Sequence, residues 1–131
     1  MSRGHPLSHC TILVVEDHSD ARTYLGRFLS DLGANVILAE DGIDGLEAAK
    51  KNDPDLVITD LRMPRLDGFR LMEEIRALYP NNEKRIPIIA MTAFSTRVTH
   101  SRLVHSGFQA CLQKPFTAEA LLAAVVAALN A

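Results

Sequence analysis

Short apolar runs alternate along the chain with segments in which apolar residues recur every three or four positions. The runs have the length of strands and are rich in Val, Ile and Leu; they cover residues 11–15, 35–39, 56–59, 86–91 and 109–113. Strands that are apolar almost throughout are buried on both faces, which is typical of a parallel sheet with helices on each side. The pattern therefore predicts five β–α units in one α/β domain.

The segments between the runs carry the signals of helix ends. Asp41, Asp67 and Thr117 are predicted to cap helices, because such side chains accept hydrogen bonds from the backbone N–H groups of a first turn. Gly33 and Gly107 are predicted to end helices. Right-handed crossovers and the number of units favour a flavodoxin-like (βα)5 three-layer sandwich, with a five-stranded parallel sheet in the order 2-1-3-4-5.

Length and composition restrict the class of protein. A chain of 131 residues with a net charge of −2 is expected to form one domain and gives no basis for direct nucleic-acid binding. No run approaches the roughly 20 apolar residues of a membrane span. Residues 1–9 are polar and lack the apolar core of a signal peptide, so we expect a flexible arm before a domain over residues 10–131, in the cytoplasm. Cys10 and Cys111 are expected to be buried free thiols.

Carboxylates follow two of the predicted strands. Glu16 and Asp17 come directly after the first strand, and Asp60 comes directly after the third. In the predicted strand order these two strands are neighbours, so the three side chains would meet at the edge where ligands bind. Carboxylates that repel one another are compensated by a cation, and an all-oxygen set favours Mg²⁺. An ordinary alternative stays open, in which the pair caps a helix and Asp60 is a loop acid.

Other polar residues follow the fourth and fifth strands. Thr92 would bring a hydroxyl group and Lys114 an ammonium group to the same edge, and the small Ala93 leaves room for a ligand. Each could be an ordinary residue if it stood alone. Together with a carboxylate nucleophile at Asp60 they make a phosphoryl-transfer site in which the aspartate forms an acyl phosphate. No glycine-rich phosphate loop follows a strand, so a nucleotide substrate is not expected.

The motifs at the strand ends resemble those of the receiver domain of bacterial two-component response regulators, over about residues 10–130. The matching motifs are Val14-Val15-Glu16-Asp17, Asp60-Leu61-Arg62-Met63-Pro64 with Asp67-Gly68, Met91-Thr92-Ala93 and Lys114-Pro115-Phe116. The resemblance implies a signalling module of a phosphorelay rather than an enzyme. Its Asp60 would accept a phosphoryl group from the phosphohistidine of a histidine kinase or phosphotransfer protein, and phosphorylation would switch partner binding.

The resemblance also implies a role for each residue of the site. Asp17, Asp60 and the backbone carbonyl of Arg62 would ligate Mg²⁺ directly, and Glu16 would act largely through water. Thr92 and Lys114, with Ala93, would bind the phosphoryl oxygens, and the Lys114–Pro115 peptide bond is expected to be cis. Arg62 and Phe94 occupy the two positions that flank the phosphate and are expected to tune the lifetime of the phosphorylated state.

Two features depart from the family pattern. Cys111 stands three residues before Lys114, where family members usually carry an aromatic ring that moves on phosphorylation. A thiol cannot fill a ring-sized gap, so we expect weak switching at this face, or switching through another group such as Phe94. The last helix is rich in alanine on the faces that a surface helix normally makes polar. It could be a docking face for a second copy or an effector, together with the fourth helix and fifth strand, or simply a good helix former.

Two other families were considered. A Mg²⁺-dependent aspartyl-phosphate hydrolase of the haloacid-dehalogenase type also uses a strand-end aspartate, but it needs a second aspartate two residues later, where this chain has Arg62. The chain also has no room for a cap domain over a substrate. A flavodoxin would need a hydroxyl-rich phosphate loop after the first strand, which is absent from this sequence.

Overall fold

The structure, a computed structural model, describes residues 6–80, 84–93 and 97–130. Five strands form one parallel sheet: β1 (Thr11–Val15), β2 (Asn35–Ala39), β3 (Leu56–Asp60), β4 (Ile88–Thr92) and β5 (Ala110–Gln113). Five helices alternate with them: α1 (Ser19–Asp31), α2 (Gly42–Asn52), α3 (Gly68–Ala77), α4 (Arg97–Ser106) and α5 (Ala118–Leu129). The strand order is β2-β1-β3-β4-β5, which confirms the predicted topology.

The helix ends follow the sequence signals. The side chains of Asp41, Asp67 and Thr117 each accept a hydrogen bond from a backbone N–H group of the helix that follows, at 2.8, 2.9 and 3.0 Å. Gly33 and Gly107 have φ angles of 101° and 122°, a region that is unfavourable for residues with a Cβ atom. The predicted caps and stops are therefore confirmed.

Side chains from alternate strand positions form two apolar clusters, one on each face of the sheet. Residues of β1 such as Ile12 and Val14 pack with α1 and α5, whereas Leu13 and Val15 pack with the cluster that contains residues of α2, α3 and α4. Successive side chains of a strand point to opposite faces of the sheet, so a strand that is apolar throughout needs an apolar cluster on each face. The parallel pairing places Val15 opposite Ala39 and Thr59, and so brings the residues that follow these strands to one edge of the sheet.

One residue of the predicted N-terminal arm packs against the domain. Leu7 is 1% exposed and belongs to the cluster of α1 and α5, and its N–H group donates to the carbonyl of Leu32 at 2.9 Å. Burial of a leucine side chain is favourable by about 1.5–3 kcal/mol, so Leu7 packs against the core although its neighbours in the sequence are polar. Leu7 therefore packs against the domain, whereas residues 1–5 of the predicted arm lie outside the described part, so the boundary at residue 10 stays a prediction.

Two further sequence predictions can be compared with the structure. Cys10 and Cys111 are free thiols, as predicted, but each is only partly buried. Burial raises the pKa of both thiols, and the charge of Asp55 also raises that of Cys10. Among the described residues, no helix combines the length and apolar character that crossing a membrane requires.

Candidate functional site

The residues predicted to share a site meet at the carboxyl edge of the sheet. Asp60 is the last residue of β3 and Thr92 the last residue of β4, and Glu16 directly follows β1. The Glu16 N–H group donates to the carbonyl of Ala39 at 3.0 Å, and the Lys114 N–H group donates to the carbonyl of Thr92 at 2.7 Å. The sheet hydrogen bonding thus continues beyond the strand ends and holds the backbone of the site.

Lys114 joins the two most buried acids of the site. Its ammonium group donates to Oε1 of Glu16 at 2.8 Å and to Oδ2 of Asp60 at 2.9 Å. The Glu16 side chain is fully buried and that of Asp60 is 12% exposed. Burial acts to lower the pKa of Lys114, but the hydrogen bonds and charges of the two carboxylates outweigh it and raise that pKa. The lysine is therefore a fixed positive charge beside the predicted nucleophile.

Glu16, Asp17 and Asp60 form an acidic cluster, and His18 lies beside it. Asp17 Oδ1 is buried and has no hydrogen-bond partner among the described residues; His18 Nδ1 lies 3.5 Å away, outside hydrogen-bond geometry. The His18 ring is 77% exposed, yet its Nδ1 atom is 3.4 Å from Oε2 of Glu16. The backbone N–H group of His18 donates a hydrogen bond to the same oxygen at 3.1 Å. We predicted no site role for His18, although its position directly after an acidic pair was a usable signal.

The cluster fits a small cation with oxygen ligands. Single ligand atoms of Glu16, Asp17, His18 and Asp60 all lie within 4.8 Å of one another. A buried carboxylate oxygen without a partner is costly, so the Asp17 Oδ1 atom favours an ion at this point. The residues present therefore fit the predicted Mg²⁺, whose ligands are carboxylate and carbonyl oxygens and water.

The loop between β3 and α3 packs tightly against Asp60. A Cβ atom on Gly68 would lie 2.5 Å from the Asp60 carbonyl oxygen, so only glycine fits at this position. The Gly68 N–H group donates to the carbonyl of Leu61 at 3.0 Å, and the Leu61 N–H group donates to that of Met91 at 3.2 Å. These contacts fix the course of the backbone toward Arg62.

The remaining predicted site residues line two clefts. Arg62 and Thr92 share a cleft of about 450 Å³, and Thr92 is 7% exposed. Ala93, Lys114 and Pro115 line a second cleft of about 530 Å³, together with Glu16. The Lys114–Pro115 peptide bond is cis, in agreement with the expectation.

Two further residues were predicted to affect switching, Cys111 as an atypical switch position and Phe94 as a possible substitute that also tunes the phosphoryl lifetime. Cys111 is partly buried in β5 and packs against the cluster of α2, α3 and α4. No aromatic ring stands at its position, as the sequence already indicated. Phe94 lies outside the described residues, so its predicted part in switching and in phosphoryl lifetime stays a prediction.

Sequence comparison finds relatives among signalling proteins. Residues 12–126 match the response regulator receiver domain family. The chain is 39% identical over 110 residues to the sensor histidine kinase RcsC of Salmonella typhi, and 36% identical over 110 residues to the regulator of RpoS of Escherichia coli. These alignments cover 84% of this chain, but the chain spans 11% and 32% of the length of those relatives.

Solved structures of similar shape include receiver domains. The receiver domain of the sensor histidine kinase PA1611 of Pseudomonas aeruginosa, solved with a magnesium ion coordinated in its active-site cleft, has a TM-score of 0.81 and 33% identity. That comparison covers 93% of this chain and 98% of the other. The chemotaxis protein CheY4 of Vibrio cholerae has a TM-score of 0.82 and 28% identity, with 91% and 98% covered.

The match over residues 12–126 decides between the families considered. The haloacid-dehalogenase alternative receives no support from it, and the acidic cluster, the lysine and the strand order all agree with the match. The chain belongs to the family of response regulator receiver domains, the signalling modules of two-component systems.

Proposed function

We propose that this receiver domain takes a phosphoryl group from the phosphohistidine of a histidine kinase or phosphotransfer protein onto the carboxylate of Asp60. The observation that carries the proposal is the Lys114 ammonium group, 2.9 Å from Oδ2 of Asp60 and 2.8 Å from the buried Glu16. A partly buried lysine between two strand-end acids provides the charge that a transferring phosphoryl group needs.

The proposed transfer needs little covalent chemistry from the protein. An oxygen of Asp60 forms a bond to phosphorus while the bond between phosphorus and the donor imidazole breaks, and the leaving imidazole takes a proton from solvent. Lys114 would exchange its contact with Asp60 for one with a phosphoryl oxygen, and the hydroxyl group of Thr92 would bind another. The product is an acyl phosphate, whose formation depends mainly on position and charge.

The same residues would hold the cofactor. The carboxylates of Asp17 and Asp60 and the backbone carbonyl of Arg62 are the proposed direct ligands, with Glu16 acting largely through water. Mg²⁺ bound there would neutralise negative charge on the phosphoryl oxygens. His18 lies close enough to orient the carboxylates of Glu16 and Asp17, because its N–H group and ring both approach Glu16 Oε2.

We further propose that the output passes through the face formed by α4, β5 and α5. On α5, Leu121, Val125 and Ala128 are buried, while Val126 is 37% exposed beside exposed alanines. Glu119 is the only charged residue of this helix. An apolar outer face of this kind could hold a second copy or an effector protein.

We place the protein in the cytoplasm, because its free thiols fit a reducing compartment.

Phosphorylation by a small donor tests the proposal. The chain is incubated with acetyl phosphate, with Mg²⁺ or with a chelator, and the intact mass is measured. We expect the mass of one labile phosphoryl group on the native chain only when Mg²⁺ is present, and none on Asp60→Asn. Asp20→Asn, which removes an acid in the first turn of α1, is the matched control and should be phosphorylated normally. Equal labelling of Asp60→Asn would refute the proposal.

A further inference from the structure

An ion pair outside the acidic cluster connects the β3–α3 loop to the start of α2. Nη1 of Arg65 lies 3.1 Å from Oδ2 of Asp41, whose side chain is 7% exposed. The other carboxylate oxygen of Asp41 accepts the N–H group of Asp44 at 2.8 Å and so caps α2. One buried carboxylate therefore serves both the helix and the loop.

The backbone at Arg65 is unusual for a residue with a side chain. Its φ angle is 73°, in the left-handed region that glycine and asparagine adopt most readily. An arginine has no backbone advantage there, whereas its side chain makes the ion pair with Asp41. The side-chain contact therefore gives the physical reason for an arginine at this position.

The loop that Arg65 holds also reaches the predicted nucleophile. Its neighbour Leu66 approaches α2 so closely that a Cβ atom on Gly42 would lie 2.0 Å from the Leu66 carbonyl oxygen. At the other end of the loop, Gly68 leaves no room for a Cβ atom beside the Asp60 carbonyl oxygen. Close backbone contacts thus connect the start of α2, the loop and Asp60 in series, and Arg62 lies within this segment.

We propose that Arg65 is a positioning residue, which holds the β3–α3 loop through Asp41 and so fixes the backbone carbonyl of Arg62 for the cation. This inference rests on the proposed function, since Arg62 matters only if the site binds Mg²⁺. Residues that orient metal ligands from outside typically change metal affinity by about 10–100-fold when they are replaced. Arg65 acts one step further from the cation and through a partly exposed ion pair, so we expect a smaller effect, of about threefold to fivefold.

Three variants separate the ion pair from the fold. Arg65→Asn removes the guanidinium group and keeps a residue that tolerates a left-handed backbone. Asp41→Asn removes the charge and keeps a good helix cap. Arg65→Lys restores a positive charge and should recover part of the effect. Urea unfolding of each variant shows whether global stability has changed.

The first measurement uses metal-free protein without phosphate. The backbone N–H groups of Leu66 and Gly68 donate to the carbonyls of Pro64 and Leu61. The rate at which these two N–H groups exchange with solvent reports how firmly the loop is held. We expect both Arg65→Asn and Asp41→Asn to speed this exchange by about threefold to fivefold, the effect of losing one partly exposed ion pair. The double variant should show no further increase, because both changes remove the same contact.

The second measurement is the Mg²⁺ concentration that gives half-maximal phosphorylation by acetyl phosphate. We expect it to rise by up to about threefold to fivefold in both single variants, no more than the change in loop exchange, with unfolding midpoints near the native value. Unchanged loop exchange, or additive effects in the double variant, would overturn the proposal. A native chain that is never phosphorylated would refute the proposed function instead, and loop exchange would still test the ion pair.

Discussion

The ammonium group of Lys114 lies 2.8 Å from a carboxylate oxygen of Glu16, a side chain that is fully buried. Lys114 follows β5 and Glu16 follows β1, so this contact joins two strands that are not neighbours in the sheet. Because the same ammonium group also binds Asp60, Glu16 helps to hold the positive charge at the nucleophile.

Replacing Glu16 should therefore change the titration of Lys114. We expect Glu16→Gln to lower the pKa of Lys114, which in the native protein lies above the ordinary lysine value of 10.5, because burial remains while one carboxylate is lost. A raised lysine pKa stabilises the fold below pH 10.5, and this contribution is lost as the pH rises through the folded-state pKa.

Side-chain NMR of the lysines in metal-free buffer measures this pKa directly. Asp20→Asn is the control, since Asp20 lies in the first turn of α1 and should leave Lys114 unchanged. An identical Lys114 titration in native and Glu16→Gln chains would show that the buried contact does not govern the charge.

Tyr79 provides a second prediction from pH dependence. Its hydroxyl group donates to Asp53, and this hydrogen bond, with burial and the Asp53 charge, raises the pKa of Tyr79 to about 12. In a Tyr24→Phe background, which leaves one tyrosine, tyrosinate absorbance should titrate near pH 12. Asp53→Asn, which suits the left-handed backbone at that residue, should move the midpoint toward 10.

The same shift has a consequence for stability. Because the folded-state pKa of Tyr79 is above its ordinary value of 10, the hydrogen bond contributes fully below pH 10 and its contribution is lost between pH 10 and about 12. Alkaline unfolding of the Asp53→Asn chain should lack this part of the pH dependence. A native tyrosine midpoint near 10 would contradict the contact.

Gly68 and Gly26 should respond oppositely to alanine. In Gly68→Ala the new Cβ atom would lie 2.5 Å from the Asp60 carbonyl oxygen. We therefore expect the free energy of unfolding to fall by about 1–3 kcal/mol or more, and phosphorylation to be slower. In Gly26→Ala the nearest atoms belong to Leu38, at 3.2 Å, and this side chain is 46% exposed and can move. Helix propensity should then add up to about 1 kcal/mol of stability. Urea unfolding compares the two; a neutral Gly68→Ala change would contradict the close packing.

Cys111 leads to a prediction about switching. Its thiol packs against the cluster of α2, α3 and α4, and a thiol is too small to fill a ring-sized gap. With Mg²⁺ and beryllofluoride as a phosphoryl mimic, we expect large amide NMR shifts at Asp60 and Lys114 and small ones along α4 and β5. Cys111→Tyr should enlarge the shifts on that face. Large native shifts there that persist in Phe94→Ala would refute the hypothesis.

The sequence predicted those features that depend on local pattern. The strands were visible as apolar runs, and Asp41, Asp67 and Thr117 were visible as caps because a short polar side chain before a helical stripe acts locally. The site could be assembled because parallel strands bring their carboxyl ends to one edge. The predicted strand order therefore indicated that motifs far apart in the sequence lie side by side in the structure.

The features that the sequence did not predict depend on contacts between distant segments. Leu7 is a single apolar residue among polar ones, and it is buried by contacts with the cluster of α1 and α5, which no local pattern reveals. The left-handed backbone at Arg65 and its partner Asp41 are set by the course of two loops. Glu16 was expected to act through water, and its contact with Lys114 appears only when β1 and β5 are placed in space.

The central claim is that Asp60 carries the phosphoryl group, and chemical mapping of the modified residue tests it most directly. After incubation with acetyl phosphate and Mg²⁺, borohydride reduction converts an aspartyl phosphate to homoserine, which peptide mass spectrometry can locate. We predict homoserine at position 60 of the native chain when Mg²⁺ is present, and none there when a chelator is added or in Asp60→Asn. Homoserine at Asp17 or another acid in the native chain, with Asp60 unmodified, would contradict the account.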